Sequence, residues 1–221
     1  MTNDDQRFRG PDRFKEKPKG VSHSADKKPR KSEHEPSGII IEVYEDFLPM
    51  GVKSTDSFRK RYQVVTVVGT EKFSILRCFL KNQLNTVAIG ETIDLEELRN
   101  NFQLVKKLKP TEWSSTLKSE IEDAISEIVK RNEIKYVDFF NSAHLITTKL
   151  HQLKLLPGVG EKRLVQILKI RDQQPFISYE DIEERLSLNP VELITKRILE
   201  ELESTDEKYI LFTKKYEERD K

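Results

Sequence analysis

The hydrophobic pattern of this chain changes its period once, near Pro110, and that change constrains the fold more than any other feature. Before Pro110 stand four runs rich in β-branched and aromatic residues, namely GIIIEVYEDF, YQVVTVVG, KFSILRCFL and TVAIGETIDL. Short strands that follow one another with turn sequences and no helix between them are typical of a small antiparallel barrel. The sequence therefore predicts an antiparallel β-barrel over residues 38–109.

Beyond Pro110 the apolar residues recur at helical spacing. One face of a helix would carry Leu117, Ile121, Ala124, Ile125, Ile128 and Val129. The sequence YVDFF, residues 136–140, is expected to pack this helix against its neighbours. We therefore predict a connecting helical segment over 110–146 and an all-α domain over 147–203, so that the fold class is α+β with two domains.

Two short helices are predicted to meet at the sequence LLPGVGEKRL, residues 155–164. Thr147 can cap the first helix, which would run through Leu153. The second helix would run from Glu161 to about Arg171. Its apolar side is expected to consist of Leu164, Val165, Ile167 and Leu168.

The residues of the turn between these helices can be explained by the backbone conformation that a tight turn requires. Gly158 and Gly160 allow backbone angles that side chains forbid, and Val159 between them can point inward between the helices. The N–H groups in the first turn of the second helix lack intrahelical partners, and the helix dipole there favours an anion. Lys162 and Arg163 lie in the same helical turn and add positive charge. This pattern is typical of a helix-hairpin-helix motif that binds nucleic-acid phosphates, although a structural or protein-binding hairpin can have the same turn.

A second pair of helices is predicted after the first. Ser178 can cap one of them, and Asn189, Pro190 and Glu192 form a capping box with proline in the first turn of the other. The connection LSLNP lacks paired glycines, so this unit would be a degenerate second helix-hairpin-helix. Its expected role is to complete the helical core through Ile182, Leu186, Ile194, Ile198 and Leu202.

Basic segments also lie outside these elements. Residues 1–37 carry ten Lys and Arg against seven Asp and Glu, with almost no aliphatic residues, which predicts a disordered basic arm. Such an arm either keeps the chain soluble or follows a nucleic-acid backbone. The loop before the second run contains Arg59, Lys60 and Arg61 between aromatic residues, and it is either a nucleic-acid contact or a solvated loop. Residues 204–221 are predicted to be a charged C-terminal tail.

The composition argues against several classes of function. The formal net charge is +1, and no stretch approaches the roughly 18 apolar residues of a membrane-spanning helix, so a cytoplasmic chain without a membrane partner is expected. Cys78 is the only cysteine, and the four histidines are scattered along the chain. These residues neither form a disulfide nor group as metal ligands or as a nucleophile with its base. We therefore expect no enzymatic activity, no metal and no cofactor.

The order of these parts resembles an archaeal family of uncharacterised proteins, domain of unknown function 655. The resemblance is carried by VYEDFLPMG, VGTEKFSILR and AIGETIDL in the predicted barrel and by FFNSAHLITTKLHQLKLLPGVGEKR in the helical part. It covers residues 38–203. The resemblance implies an OB-like β-barrel joined to a C-terminal tandem helix-hairpin-helix domain. It also implies a nucleic-acid-binding protein, with RNA favoured and with a connection to the ribosome or to translation.

The function predicted from the residues and from the resemblance together is binding of an RNA or DNA phosphate backbone. The predicted nucleic-acid-binding residues have three roles. The turn itself would be shaped by Leu156, Pro157, Gly158, Val159 and Gly160, and the phosphate would be contacted by Gly158, Gly160, Lys162 and Arg163. Positive potential would come from Lys149, Lys154, Lys169 and Arg171, with Arg59, Lys60 and Arg61 on the barrel. The alternative is a protein-interaction adaptor in a ribosome, transcription or DNA-repair assembly, whose partner would be a ribosomal or other protein.

Overall fold

The computed structural model describes residues 35–47, 62–80, 87–204 and 207–214. All of these residues belong to one compact unit. The predicted basic arm lies outside the described residues except for its last three positions. The predicted contact residues Arg59, Lys60 and Arg61 also lie outside them.

Five strands form one antiparallel sheet. They are β1 (Ser37–Phe47), β2 (Tyr62–Gly69), β3 (Ile75–Leu80), β4 (Thr92–Asp94) and β5 (Phe102–Lys107). Their order in the sheet is β4-β1-β2-β3-β5, and each neighbouring pair is antiparallel. The first four strands correspond to the four predicted runs. β5 has no counterpart among those runs, because FQLVKK is half polar and becomes a strand by pairing with β3.

The sheet buries apolar side chains on both of its faces. Along β1, Ile39 and Ile41 belong to the larger core of the protein, whereas Ile40 between them belongs to a smaller core with Val67 and Cys78. This alternation arises because successive side chains of a strand point to opposite faces. β2 is central in the sheet and covered on both faces, which explains its almost continuous apolar sequence.

Two helices follow the sheet, α1 (Ser115–Arg131) and α2 (Glu133–Ser142). Ser114 caps α1, since its Oγ accepts a hydrogen bond from the N–H of Leu117 at 3.1 Å. All six residues predicted for the inner face of α1 are buried. They lie in the same core as Ile39 of β1, so the sheet and the helices share one hydrophobic core.

The prediction that a helix begins at Thr147 is wrong. Thr147 instead ends β6 (Leu145–Thr147), which pairs with β7 (Leu150–His151) as a separate two-stranded sheet. The Oγ1 atom of Thr147 accepts hydrogen bonds from the N–H groups of Lys149 and Leu150, at 3.3 and 3.1 Å. This local bonding closes a turn between the two strands in place of a helix.

The helix that remains before the glycine turn is a single 3₁₀ turn, Gln152–Leu155. His151 caps it, because its Nδ1 atom accepts a hydrogen bond from the N–H of Leu153 at 3.1 Å. Leu153 is fully buried, as its predicted inward position requires. The 3₁₀ turn therefore enters the glycine turn from a fixed point in the core.

Three further helices complete the fold, α3 (Glu161–Gln173), α4 (Tyr179–Leu186) and α5 (Pro190–Glu203). α3 begins at the predicted residue and buries Leu164 and Ile167. The prediction that Val165 lies on the apolar side of α3 is wrong, since this side chain is 60% exposed. One residue turns an α-helix by about 100°, which carries Val165 away from the face that Leu164 and Ile167 share.

The caps of α4 and α5 are those predicted. Ser178 Oγ accepts a hydrogen bond from the N–H of Asp181 at 3.1 Å, and Asn189 Oδ1 accepts one from the N–H of Glu192 at 3.0 Å. The Glu192 carboxylate bonds Lys196 at 2.5 Å rather than the N–H of Asn189, so the capping box is half formed. The inner faces of both helices complete the larger core.

Residues 207–214 lie against the helices. The ring of Phe212 packs edge-to-face on the rings of Phe139 and Tyr136, with centroids 4.9 and 5.6 Å apart. Backbone N–H groups of this segment bond the Glu201 carboxylate on α5. This part of the predicted C-terminal tail is therefore packed.

Candidate nucleic-acid interface

The turn at residues 156–160 is anchored by two buried side chains. Leu156 and Val159 are 2% and 4% exposed, and both lie in the larger core. The N–H of Val159 donates to the carbonyl oxygen of Leu156 at 3.1 Å, which reverses the chain tightly. Val159 therefore points inward between the helices, as its position between two glycines predicts.

Two glycines border Val159 and leave the outer side of the turn open. Gly158 has a φ of +78°, in the left-handed region that residues with a side chain rarely adopt. Gly160 has a φ of −80°, which any residue can adopt, so the argument from special backbone angles holds for Gly158 alone. A Cβ atom at either glycine would have no other atom within 4 Å. The surface over both glycines therefore has room for a ligand.

α3 begins directly after this turn. Its N-cap residue is Gly160, which has no side chain that could bond the N–H groups of the first helical turn. The N–H of Leu164 donates to the carbonyl oxygen of Gly160 at 2.9 Å, so the N–H groups of residues 161–163 precede the helical hydrogen-bond ladder. The helix dipole adds positive potential at the same place. An anion is accordingly favoured at this end of α3.

An open depression of about 400 Å³ lies at the same helix end. Its lining consists of Gly158, Gly160, Glu161, Lys162, Arg163 and Gln166. Lys162 is exposed there and supplies a positive charge. The carboxylate of Glu161 would oppose a phosphate, but it pairs with Lys154, whose Nζ lies 2.6 Å from Glu161 Oε2. The depression is therefore suited to an anion.

The two predicted arginines that lie within the described residues, Arg163 and Arg171, are held by the fold. Arg163 donates to the carbonyl oxygen of Leu186 at 3.1 Å and still lines the depression. Arg171 donates to the carbonyl oxygens of Phe140 and Ala143 at 3.3 and 2.8 Å. The Arg171 side chain is only 18% exposed, so its contacts hold α3 beside the end of α2.

The remaining predicted lysines are distributed over the surface. Lys169 follows Lys162 by seven residues, which places both on one side of α3. Lys149 is exposed in the turn between β6 and β7 and is not part of the depression. Of the predicted lysines, Lys162 thus lines the depression and Lys154 neutralises the carboxylate at its edge.

Comparison with known proteins gives the chain a family. The family described as a protein of unknown function, DUF655, matches residues 40–214. The chain belongs to the DUF655 family. An uncharacterised protein of Methanocaldococcus jannaschii is 33% identical to it over 172 residues, which cover 76% of this chain and 77% of that protein.

A solved structure resembles this DUF655 chain as well. The crystal structure of a DUF655 protein from Archaeoglobus fulgidus has a TM-score of 0.69 and 31% sequence identity to it. The match covers 81% of this chain and 100% of that one. Both relatives are archaeal, and the family resemblance stated from the sequence is confirmed.

Sequence reasoning gave no role to Arg185, yet this residue of the DUF655 chain fixes the C-terminal end of α3. Its Nη2 atom donates to the carbonyl oxygens of Ile170 and Gln174 at 3.0 and 2.8 Å. Its Nη1 atom donates to the carboxylate of Asp181 at 2.9 Å, and its guanidinium lies 4.8 Å from the centre of the Phe176 ring. The spacing of four residues from Asp181 is the one sequence signal for these contacts. Arg185 is therefore a positioning residue for α3.

Within the described residues of the DUF655 chain, no group of three or more His, Cys, Asp or Glu side chains could hold a metal ion. Cys78 is buried, and burial raises the pKa of its thiol to about 12, so the thiol stays protonated at neutral pH.

None of the helices in the described ranges is both long and apolar enough to cross a membrane. The chemistry that the start of α3 offers is anion binding.

Proposed function

We propose that this DUF655 chain is a non-enzymatic protein that binds the phosphate backbone of nucleic acid at residues 156–163. The observation that carries the proposal is the start of α3, which is capped by a glycine and opens into a depression lined by Lys162. Hydrogen bonds from backbone N–H groups to a phosphate are charge-assisted and therefore strong. They convey no base identity, so the binding is expected to tolerate many sequences.

The finer architecture belongs to the same proposal. Five antiparallel strands around the smaller core fit an OB-like barrel, which would close where β4 and β5, the ends of the strand order, approach each other. The 3₁₀ turn with α3, followed by α4 and α5, fits a tandem helix-hairpin-helix domain whose first helix is reduced to one turn.

RNA is the favoured target, with a role alongside the ribosome or translation, and this preference rests on the family resemblance. Contacts between N–H groups and phosphates do not read the 2′-hydroxyl that distinguishes RNA from DNA. The choice is therefore testable only by direct competition between duplex RNA, duplex DNA and a ribosomal RNA fragment.

The sharpest test is equilibrium binding over a salt series with Gly160→Ala. The backbone of Gly160 accepts alanine and its Cβ would meet no atom, so the fold should be unchanged. The added methyl group would occupy the side from which a phosphate approaches the amides. We expect about tenfold weaker binding, which corresponds to about 1.4 kcal/mol. Circular dichroism checks that the variant is folded.

Charge variants separate a phosphate contact from general attraction. Lys162→Glu should weaken binding and reduce the log–log salt slope by about 1. The matched control is Lys118→Glu, because Lys118 pairs with Glu203 at the C-terminal end of α5. The proposed site lies towards the other end of α5, because Arg163 contacts Leu186, four residues before that helix begins. A helix of 14 residues is about 20 Å long, so Lys118 is remote from the site. If both charge variants weaken binding equally, or if Gly160→Ala binds like the wild type, the proposal fails.

The alternative function, a protein-interaction adaptor, is favoured by apolar side chains exposed near the hairpin. Val165 on α3 is 60% exposed, and Ile177 just before α4 is 78% exposed. Apolar groups at the surface can contribute to a protein interface. Under this alternative, no salt-dependent binding to nucleic acid would be measured, and Val165→Lys rather than Lys162→Glu would abolish binding to a protein partner.

A further inference from the structure

The turn before α5 has the same backbone plan as the turn before α3. Ser187 has a φ of +51°, in the left-handed region that Gly158 also occupies, and it follows Gly158 by 29 residues. The next residue is buried in both turns, since Leu188 is 8% exposed and Val159 is 4% exposed. The two turns therefore correspond residue by residue.

A depression of about 440 Å³ lies where α5 begins, and α1 and α4 line its other sides. Its lining on α5 consists of Asn189, Pro190, Val191, Glu192 and Thr195. In the depression at α3, the corresponding positions are those of Gly160, Glu161, Lys162, Arg163 and Gln166, displaced by the same 29 residues. We call this counterpart of the first depression the α5 depression.

The two depressions differ in the ligand that they favour. The capping residue of α3 is a glycine, whereas at α5 the Asn189 Oδ1 atom accepts a hydrogen bond from the N–H of Glu192 at 3.0 Å. Val191 and Glu192 stand at the positions that correspond to Lys162 and Arg163. The start of α5 therefore caps itself and brings no basic side chain to the lining, so a phosphate is not favoured there.

Carboxylates dominate the α5 depression. Its lining includes Glu122 and Asp123 on α1, Glu183 on α4 and Glu192 on α5. Asp123 and Glu183 are exposed, and in the described part of the chain their carboxylates form neither a hydrogen bond nor an ion pair. Their charges are therefore open to a ligand.

The cations near these carboxylates do not cancel them. Lys130 lines the depression, and Lys196 beside it bonds Glu192 at 2.5 Å. Lys118 lies on α1 one helical turn before the first of the carboxylates, but its ammonium group pairs with Glu203 at 2.6 Å. With Lys130 and Lys196 both counted, the four carboxylates still leave two negative charges in excess, so the potential that a ligand meets is negative.

A buried hydroxyl group at the same place lacks a partner. Thr195 lines the α5 depression and is only 4% exposed. Its Oγ1 atom has no hydrogen-bond partner among the described residues. A buried polar group without a partner costs free energy, which a hydrogen bond from a ligand would recover.

Tyr179 and Val191 supply the apolar part of the lining, and both are partly exposed. The Tyr179 ring is held in place, because its hydroxyl donates to the carbonyl oxygen of Val129 at 2.8 Å. Aromatic rings attract ammonium and guanidinium groups, and the carbon stems of lysine and arginine pack on apolar surfaces. The depression thus offers both kinds of contact that a lysine or arginine side chain makes.

A metal ion does not fit this arrangement. Within the ranges that the structure describes, no group of three or more His, Cys, Asp or Glu side chains could hold one. Carboxylates that come from three helices suit several separate cationic groups instead.

We propose that the α5 depression binds a segment of a partner protein that is rich in lysine and arginine. The stem of one basic side chain would lie against Tyr179 and Val191. Its charged N–H groups would donate to the carboxylates of Asp123 and Glu183 and to the hydroxyl oxygen of Thr195. The site goes beyond the proposed function at α3 and does not depend on it.

The test is fluorescence anisotropy of labelled oligolysine and oligoarginine peptides that are titrated with the full chain. An ionic strength of about 0.15 M limits long-range attraction. We expect saturable binding of at least one of these peptides and none of an oligoglutamate peptide. Asp123→Asn combined with Glu183→Gln should weaken the binding about tenfold or more, because charged hydrogen bonds are lost.

Glu180→Gln combined with Glu184→Gln is the matched control. It removes two exposed carboxylates of α4 that do not line the depression. Binding should change by no more than about twofold, since exposed charges at a distance contribute little. Circular dichroism checks that both double variants are folded.

Thr195→Val tests the buried hydroxyl separately. Valine has nearly the same shape but no polar group, so the variant should be at least as stable as the wild type in urea denaturation. It should nevertheless bind the peptide several-fold more weakly, because the hydroxyl acceptor is lost. A purely structural role of Thr195 would not separate stability from binding in this way.

The outcomes that would overturn the proposal are specific. They are absence of saturable binding by both basic peptides, equal weakening by the two double variants, and wild-type binding by Thr195→Val. Spermidine that displaces the peptide as effectively as unlabelled peptide does would identify a free polyamine as the ligand and would overturn the protein partner. Lys162→Glu at α3 should not weaken peptide binding, so a failure of this site and a failure of the nucleic-acid site are distinguishable.

Discussion

The guanidinium of Arg197 lies 3.0 Å from the carboxylate of Glu201, one helical turn further along α5. Their side chains are 5% and 0% exposed. The same carboxylate accepts hydrogen bonds from the N–H groups of Leu211, Phe212 and Thr213. The pair therefore joins α5 to residues 207–214. The match to the DUF655 family includes this segment, since it ends at residue 214.

Glu201→Ala should destabilise the protein strongly. It would leave the buried Arg197 with less compensating charge and three backbone N–H groups without their acceptor. Removing one partner of a buried pair costs about 3–5 kcal/mol. Urea denaturation followed by circular dichroism measures the change in the free energy of unfolding.

Glu200→Ala is the matched control for that prediction. Glu200 lies 3.5 Å from the same guanidinium, but its side chain is 52% exposed. Exposed ion pairs contribute about 0–1 kcal/mol. If the two variants lose similar amounts of stability, the Glu201 carboxylate does not hold the C-terminal segment as described.

The parts of this fold that depend on local spacing follow from the sequence. The prediction of the inner face of α1 is correct at all six positions, because helical periodicity alone identifies those residues. The caps Ser178 and Asn189 are correct for the same reason, since each bonds an N–H only three residues away. The anchoring of Val159 and the open surface at Gly158 also follow from the turn sequence.

The parts that depend on distant partners do not follow from the sequence. A threonine hydroxyl can cap a helix or close a turn, and the pairing of β6 with β7 decides that Thr147 closes a turn. From the sequence, Arg171 is expected to be a surface charge, but its guanidinium donates a hydrogen bond to the carbonyl oxygen of Phe140, 31 residues away. The N–H donors of Arg171 are therefore occupied by backbone carbonyl oxygens, so fewer basic side chains of α3 can contact a phosphate directly than its sequence suggests.

The two glycines of the hairpin should respond differently to alanine. Gly158→Ala should lower the free energy of unfolding by about 1–2 kcal/mol, because a φ of +78° is unfavourable for a residue with a Cβ. Gly160→Ala should cost less, at most about 1 kcal/mol, since its backbone is already extended and its surroundings are open, and the remaining cost comes from alanine being a poorer N-cap residue than glycine. Thermal and urea unfolding of both variants measure this. A loss of stability in Gly160→Ala larger than in Gly158→Ala would show that the turn geometry is misassigned.

His151 should make the hairpin sensitive to acid. Its pKa is lowered, chiefly because burial disfavours the imidazolium and also because Arg171 and His144 repel its charge. The unfolded chain, with a histidine pKa of about 6.5, then binds the proton more readily than the folded one. The stabilisation from neutral His151 is therefore present above about pH 6.5 and is lost as the pH falls towards the lowered pKa of the folded state.

The comparison that isolates this effect is unfolding at about pH 7.5 and about pH 5.5 for the wild type and for His151→Gln. The wild type should lose more stability on acidification than the variant. His144→Gln, at an exposed histidine, should keep most of the pH dependence, because burial is the larger cause of the shift. Equal pH dependence in the wild type and His151→Gln would contradict the assignment.

The Glu35 carboxylate closes the turn between β2 and β3. It accepts hydrogen bonds from the N–H groups of Glu71, Lys72 and Ser74 at distances of 3.0 to 3.2 Å. A Cβ atom at Gly69 would overlap with the Glu35 Cδ atom, so the glycine leaves the space that this side chain fills. The two residues should therefore be energetically coupled.

A double-mutant cycle measures that coupling. Gly69→Ala should destabilise the wild type, because the new methyl group would displace the Glu35 carboxylate from its three N–H donors. In a Glu35→Ala background the obstructing atoms are gone, so the double variant should lose about 1–2 kcal/mol less than the sum of the single variants. Gly38→Ala is the control, since its Cβ would press on Val67 and Val68 and its cost should be the same in both backgrounds. Additive losses for Gly69→Ala and Glu35→Ala in urea denaturation would mean that the carboxylate does not occupy the turn in solution.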